Sequence, residues 1–306
     1  MDLKYLITKR FKNWIIYILV KGFFNLLRIL PRSFCFFLLT RISLLCFYVI
    51  PDARKKTIRN LTRVFGSEKN AAEIWKMAKS VFRDLGRNAV DMFRLKQVVG
   101  KDPDRYVTCH GWENLDNALA KGKGVVVITG HLGCWELMAG YVSSKGYAVS
   151  VVGTPLYDPR LDKMLVDNRT SVGLKNIIRS TGAREILRTL RNGEIVGILI
   201  DQDTRVDGVF VDFLGKPAFT PVGPVVLALK TGAAIVPMAI HIDERNRHII
   251  EMEPEIDLQT TDDKENDRLL ITLKCSKAIE KLLLKNVTQW VWMHERWKTQ
   301  PKESVE

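Results

Sequence analysis

The chain is 306 residues long and 46% hydrophobic, which supplies a sizeable core for one large domain and excludes a disordered or low-complexity protein. Its five cysteines, Cys35, Cys46, Cys109, Cys134 and Cys275, are scattered and odd in number, which argues against a disulfide framework and for a reducing compartment. The net charge of +13 is concentrated at one end, since residues 1–60 carry twelve Lys/Arg against Asp2 and Asp52, a local +10.

That same stretch is the most apolar, with runs at Trp14 to Val20, Phe23-Phe24, Leu26-Leu27, Ile29-Leu30, Phe34 to Leu39 and Ile42 to Ile50. Basic and apolar together suit a membrane surface. Nucleic acid would want the charge spread over a folded face with polar or aromatic readers, so no nucleic-acid partner is expected. Lys21, Arg28, Pro31, Arg32 and Arg41 interrupt the runs and leave no clean stretch of about 18 apolar residues. In-plane helices, a re-entrant pair, a tilted anchor with snorkelling Lys and Arg, and a helical hairpin packed on the domain all fit. A cleaved signal peptide does not, because the region is too long and too charged and no small-residue cleavage pattern follows. Residues 1–52 are read as a membrane-anchoring helical segment and 53–306 as the α/β domain.

Ala71 to Leu95 is predicted helical, since Ile74, Ala78, Val81, Leu85, Ala89, Met92 and Phe93 recur at three and four with Lys, Arg and Asp between them. From residue 124 the pattern changes to short β-rich runs at Val125–Thr129, Ala148–Val152, Ile195–Ile200, Ala234–Ile240 and Ile249–Glu253. Helical stretches separate them near 134–144, 159–172, 182–192, 221–231 and 264–285. Alternation of this kind predicts an α/β layered sheet flanked by helices.

The first of these strands carries the most informative motif, Gly130-His131-Leu132-Gly133-Cys134-Trp135-Glu136. A histidine at a strand end with a carboxylate five residues on suits a general base and its orienter, the acid fixing the tautomer that leaves one ring nitrogen free to take a proton. A serine in a nucleophile elbow is missing, so the hydroxyl to be activated belongs to a substrate and the chain reads as a transferase. Ligands of such sheets gather beyond the strand ends. His131, Gly153-Thr154-Pro155 and Asp201-Gln202-Asp203 all follow strands and are expected to line one cleft. Cys134 reads as a small residue packing beneath the loop, since no close Cys/His partner makes it a metal ligand. Trp290, Trp292 and Trp297 are expected in the core rather than in an interfacial belt, and His110, His241, His248 and His294 are expected to be structural.

Taken in order, Arg59-Asn60-Leu61 with Phe65, the His131 motif, Asn168-Arg169, Asp201-Gln202, Phe213-Leu214-Gly215 with Ala218 and Thr220, Pro237, and Trp292-Met293-His294 with Arg296-Trp297-Lys298 cover most of the chain. They resemble the bacterial lipid A biosynthesis acyltransferases of the lauroyl/myristoyl type, within the glycerophospholipid acyltransferase superfamily. The superfamily's mark is a histidine, four residues and an acid, here His131 and Glu136, with Glu rather than Asp. The resemblance implies an acyltransferase-type sheet and a membrane-anchored enzyme that moves an acyl chain from a thioester donor to a glycolipid hydroxyl. The donor is acyl carrier protein or coenzyme A, a co-substrate, and no metal or resident cofactor is implied. The expected partners are membrane lipid, acyl carrier protein and a glycolipid acceptor such as a lipid A precursor, met at the bacterial inner membrane from its cytoplasmic face.

Carried onto this sequence, the resemblance makes His131 the base, Glu136 its orienting carboxylate, and Gly133 the place where backbone approaches substrate. Arg169 would hold a phosphate of the acceptor or of the phosphopantetheine arm. Asp201 and Gln202 would hold the head group or satisfy loop amides, and Thr220 would bind substrate or cap the helix 221–231. The oxyanion donor stays open between a backbone N–H and a basic side chain. Two rivals of other classes are a metal-dependent hydrolase using His131, Cys134 and Glu136, marked by stoichiometric zinc, and a non-catalytic membrane-binding protein, marked by lipid binding without transfer or thioesterase activity.

Overall fold

A computed structural model describes residues 3–301, with side chains from Phe11 onward. Met1, Asp2 and residues 302–306, at the outer ends of the two expected units, lie outside the described residues, as do the side chains of Lys4, Lys9 and Arg10 that entered the charge count.

Four helices come first: α1 (Leu3–Ile29), α2 (Arg32–Val49), α3 (Pro51–Phe65) and α4 (Ala71–Phe93), followed by the single turn α5 (Leu95–Val98). Then come β1 (Val107–His110), α6 (Trp112–Leu119), β2 (Val125–Thr129), α7 (Trp135–Ser144), β3 (Val149–Gly153), α8 (Pro159–Thr170), β4 (Lys175–Ile178), α9 (Ala183–Arg191) and β5 (Ile195–Leu199). A hairpin, β6 (Gly208–Phe213) and β7 (Lys216–Pro221), precedes α10 (Gly223–Thr231), β8 (Ala234–Ile242), β9 (His248–Met252) and α11 (Lys264–Leu284). The strands named from periodicity are all present to within a residue or two. Periodicity missed β1, β4 and the hairpin, short runs whose polar residues break the pattern.

Seven strands form one sheet in the order β1-β9-β8-β2-β5-β3-β4. From β8 to β4 the pairing is parallel, and β9 turns back antiparallel to β8 with β1 parallel to it. Every residue of β2 is buried, because helices cover both faces of a central parallel strand and a continuous apolar run is what such a strand needs. Val125 and Val127 pack with Leu137, Met138 and Tyr141 of α7 on one face. Val126 and Ile128 pack with α10 and α11 residues such as Val225, Ile271 and Ile279 on the other.

The expected helix 221–231 begins two residues later, at Gly223, and Thr220 is not its cap. Thr220 lies in β7 instead, where the turn Leu214-Gly215, with both residues at positive φ, closes a hairpin of the tight type. Helix α4 starts with a capping box, Asn70 accepting from the Glu73 N–H while Glu73 accepts from the Asn70 N–H.

The basic, apolar N-terminal stretch is not set apart from the rest. Helix α2 lies along α4, burying Cys35, Phe36, Leu39 and Phe47, with Gly86 so close to it that a Cβ there would come 2.5 Å from the Leu39 carbonyl. Its other face leaves Phe34, Phe37, Leu45, Tyr48 and Val49 exposed. By length and composition α2 is the one helix among the described residues able to cross a membrane, despite Arg32 and Arg41. The expected tryptophans are core: Trp290, Trp292 and Trp297 are buried with Phe213 and Leu214.

Candidate active site

Parallel pairing aligns Thr129 of β2 with Leu199 of β5. Continuing that register two residues brings His131 opposite Asp201. The His131 Nδ1 lies 2.8 Å from Asp201 Oδ1, and the His131 backbone N–H donates to Asp201 Oδ2 at 2.6 Å. Trp290 Nε1–H donates to the same Oδ2 at 2.7 Å. Gly130 is required here, because a Cβ would stand 2.9 Å from that oxygen. Burial alone would raise the Asp201 carboxyl, but the adjoining His131 and the donated hydrogen bonds outweigh it and hold the group far below the usual carboxylate range. Asp201 is thus a permanent anion that keeps the proton on Nδ1 and leaves the lone pair on Nε2.

Nε2 faces the side-chain amide of Gln202 at 3.2 Å, and the same amide reaches the ring of His294. The His131 and His294 rings are 4.7 Å apart, and Trp135 meets His131 edge-on at 5.0 Å. Burial, and then the nearby His131, lower the His294 pKa to about 4, so it is neutral at pH 7. His294 therefore belongs to the cluster rather than standing apart from it, and Asn60 of α3 holds it there by donating to the His294 and Trp292 carbonyls.

The carboxylate expected to orient His131 does something else. Glu136 sits in the first turn of α7, where free N–H groups favour an acid, and is gripped by Arg169 of α8 through Nε at 2.8 Å and Nη2 at 2.6 Å. Arg169 also bonds Asn176. With both partners largely buried, the guanidinium fork is spent on a protein carboxylate and is not free for a phosphate. The reason is direction: Glu136 enters α7 pointing toward α8, whereas Nδ1 of His131 points across the sheet toward β5.

Two further expectations change. Gly133 has φ +62°, and a Cβ there would come 2.0 Å from the Ile240 carbonyl, so the close backbone approach is to β8 and not to substrate. Thr220 is buried and accepts a hydrogen bond from Arg296 Nη2 at 2.6 Å, bracing the C-terminal segment rather than lining a cleft. Cys134 is buried, which pushes its thiol well up and disfavours the thiolate, and among the described residues no group of three His, Cys, Asp or Glu is placed to hold a metal ion. The rival triad of His131, Cys134 and Glu136 thus loses two of its members, one to burial and one to Arg169.

Two apolar spaces meet at the Glu136–Arg169 pair. One, about 50 Å³, lies between α7 and the sheet against Val127, Met138, Val149, Val151, Leu199 and Met238. The other, about 390 Å³, lies between α1, α8 and the end of α4 against Val20, Phe24, Phe93, Leu161, Met164 and Leu165. Trp135, Glu136 and Arg169 line both.

Against known proteins, the family model described as bacterial lipid A biosynthesis acyltransferase matches residues 2–299. Phosphatidylinositol mannoside acyltransferase of Mycobacterium tuberculosis is 33% identical over 187 residues, 58% of this chain and 58% of the relative's length. Lipid A biosynthesis lauroyltransferase of Escherichia coli is 25% identical over 252 residues, 80% of this chain and 78% of its own. A solved structure, the 1-acyl-sn-glycerophosphate acyltransferase PlsC from Thermotoga maritima, gives a TM-score of 0.37 at 16% identity, over 82% of this chain and 98% of that one. The match to the mycobacterial relative thus spans little more than half of that protein, whereas the family model spans nearly all of this chain. The chain belongs to the bacterial lipid A biosynthesis acyltransferase family.

Proposed function

We propose that the protein transfers a fatty acyl chain from a thioester donor to a hydroxyl of a glycolipid, with His131 as general base. The observation that carries this reading is the His131 imidazole itself, its Nδ1 fixed on Asp201 and its Nε2 directed at Gln202, with Trp135, which meets its ring edge-on, lining an apolar cavity. Nε2 takes the proton from the acceptor hydroxyl as its oxygen attacks the thioester carbonyl, and the imidazolium so formed is stabilised by Asp201. Collapse of the tetrahedral adduct breaks the carbon–sulfur bond, and the proton on Nε2 passes to the leaving thiolate. Base and leaving-group acid are one residue, and no acyl-enzyme is needed.

The oxyanion needs a donor; the His131 N–H is spent on Asp201, the Gly133 N–H on the Gln289 carbonyl and the Gln202 amide on the two histidine rings, which leaves the free N–H groups of the first turn of α7 for the role. The larger apolar space between α1, α8 and the end of α4 suits the acyl chain, with the Glu136–Arg169 pair in its wall.

The acceptor is a lipid A precursor, in keeping with the family and the Escherichia coli relative. A mannosylated phosphoinositide is a second reading, favoured by the higher identity to the mycobacterial relative. Acyl carrier protein is the proposed donor partner, and the bacterial inner membrane, cytoplasmic side, is the proposed location. The test is transfer from labelled acyl carrier protein in detergent to each acceptor, with wild type beside His131→Ala. Transfer by wild type and none by the variant is expected; transfer persisting in the variant would overturn the base assignment.

A further inference from the structure

Helix α2 is fastened to the folded body at both ends. At its start, Arg32 pairs with Asp91 of α4, a carboxylate also bonded to His248 of β9 at 2.8 Å. At its finish the chain passes through Ile50 straight into α3, whose Asn60 holds Trp292 and His294. Between these points Ser43 donates to the Phe82 carbonyl and Phe47 packs edge-on against Phe82 at 5.3 Å. Helix α4 therefore runs beside α2 along most of its length.

The flank of α4 beside α2 is cationic. Lys76, Lys79, Arg83 and Arg87 follow one another at helical spacing, and Lys76, Lys79 and Arg83 are exposed. Lys79 lies over the Tyr48 ring at 5.6 Å and Arg41 over Phe37 at 5.3 Å. Arg41, Arg83 and Arg87 line a shared groove with Phe36, Phe37 and Leu44, which also takes in Glu244. An exposed apolar helix face thus has a row of cations parallel to it as well as Arg32 and Arg54 at its two ends.

We infer that α2 does not span the bilayer but lies in its plane, its Phe34, Phe37, Leu45 and Tyr48 face in the acyl boundary and Arg41, Lys79 and Arg83 on the phosphates of anionic lipid. A spanning α2 would put its two ends on opposite sides while both are fixed to one folded body, and would carry the α4 cations into hydrocarbon. In the plane, the same cations lie at headgroup depth, where anionic phosphate is concentrated. This inference rests on the membrane association in the proposed function and adds its geometry.

The test uses full-length protein in inside-out membrane vesicles and a membrane-impermeant maleimide, with wild type as background for the native cysteines. Ser33→Cys and Ile50→Cys are both expected to label before the vesicles are opened; labelling of either only after permeabilisation would overturn the in-plane reading. Vesicle binding tests the lipid contact. Arg41→Gln with Lys79→Gln is expected to weaken binding to phosphatidylcholine vesicles containing phosphatidylglycerol by about tenfold, with little change on phosphatidylcholine alone. Equal binding to both vesicle types by wild type and variant would overturn the phosphate contact. Acyl transfer by the same preparations in detergent, where the bilayer plays no part, reports the proposed function separately.

Discussion

The two ends of the motif loop hold two carboxylates in opposite circumstances. At the β5 end, Asp201 meets the Nδ1 of an imidazole whose far nitrogen faces Gln202, so in the proposed reaction its charge acts on a proton that moves. At the α7 end, Glu136 meets a guanidinium that never gives up its proton, so its charge is locked and contributes position only. The spacing of His131 and Glu136 says that an acid is near; only the partner of each acid says which one is coupled to the base.

The comparison breaks most sharply at His131. His131→Ala is expected to lower transfer by about 10³–10⁴-fold with the fold retained, read from acyl transfer and circular dichroism. Asp201→Asn follows, with a loss of about 10²–10⁴-fold, because an amide can hold the wrong tautomer. Glu136→Gln separates the two acids: it leaves Arg169 buried without its anion and is expected to cost about 3–5 kcal/mol of stability in denaturant unfolding. If Glu136→Gln kept stability and lost turnover as fully as Asp201→Asn, the division of labour drawn here would be wrong.

Smaller effects sharpen it. Gly133→Ala forces a side chain into the Ile240 carbonyl at positive φ and is expected to cost about 2–3 kcal/mol in thermal unfolding. The neutral His294 gives a pH signature. Its folded pKa, about 4, is below the free value of 6.5, so between those values the unfolded chain binds the extra proton. Stability should fall as pH drops from about 6.5 to 4 and then level off on this account, and His294→Gln should flatten that slope. The Asp201 contribution runs lower on the scale, present above the ordinary carboxylate range and lost only as pH falls far below it.

The layered sheet and the strand carrying the motif were legible because they are local: five apolar residues, a glycine and a histidine sit together in the chain. Of the strand ends expected to converge, Asp201-Gln202 does meet His131. The orienter was misread because register is not local. Val125↔Ile195 pairing sets His131 opposite Asp201, and no periodicity in either segment fixes that alignment. The polar strand end after Ile200, read as holding a head group or loop amides, was the available signal. Arg169 was given a ligand's phosphate where the fold supplies Glu136. His294 and Trp290 join the site from a distant segment, and tryptophans that read as core are core while one of them also donates to Asp201.

That distant segment carries a consequence for timing. Trp290 bridges Leu132, the Val291 N–H donates to the His131 carbonyl, and Gly133 donates to Gln289, so the loop bearing the base is stitched down by residues the ribosome adds long after it. Until that later segment has emerged and docked, the loop lacks two backbone ties, one of them on His131 itself, and Asp201 lacks the Trp290 donor. The site is therefore completed only once synthesis has passed residue 291.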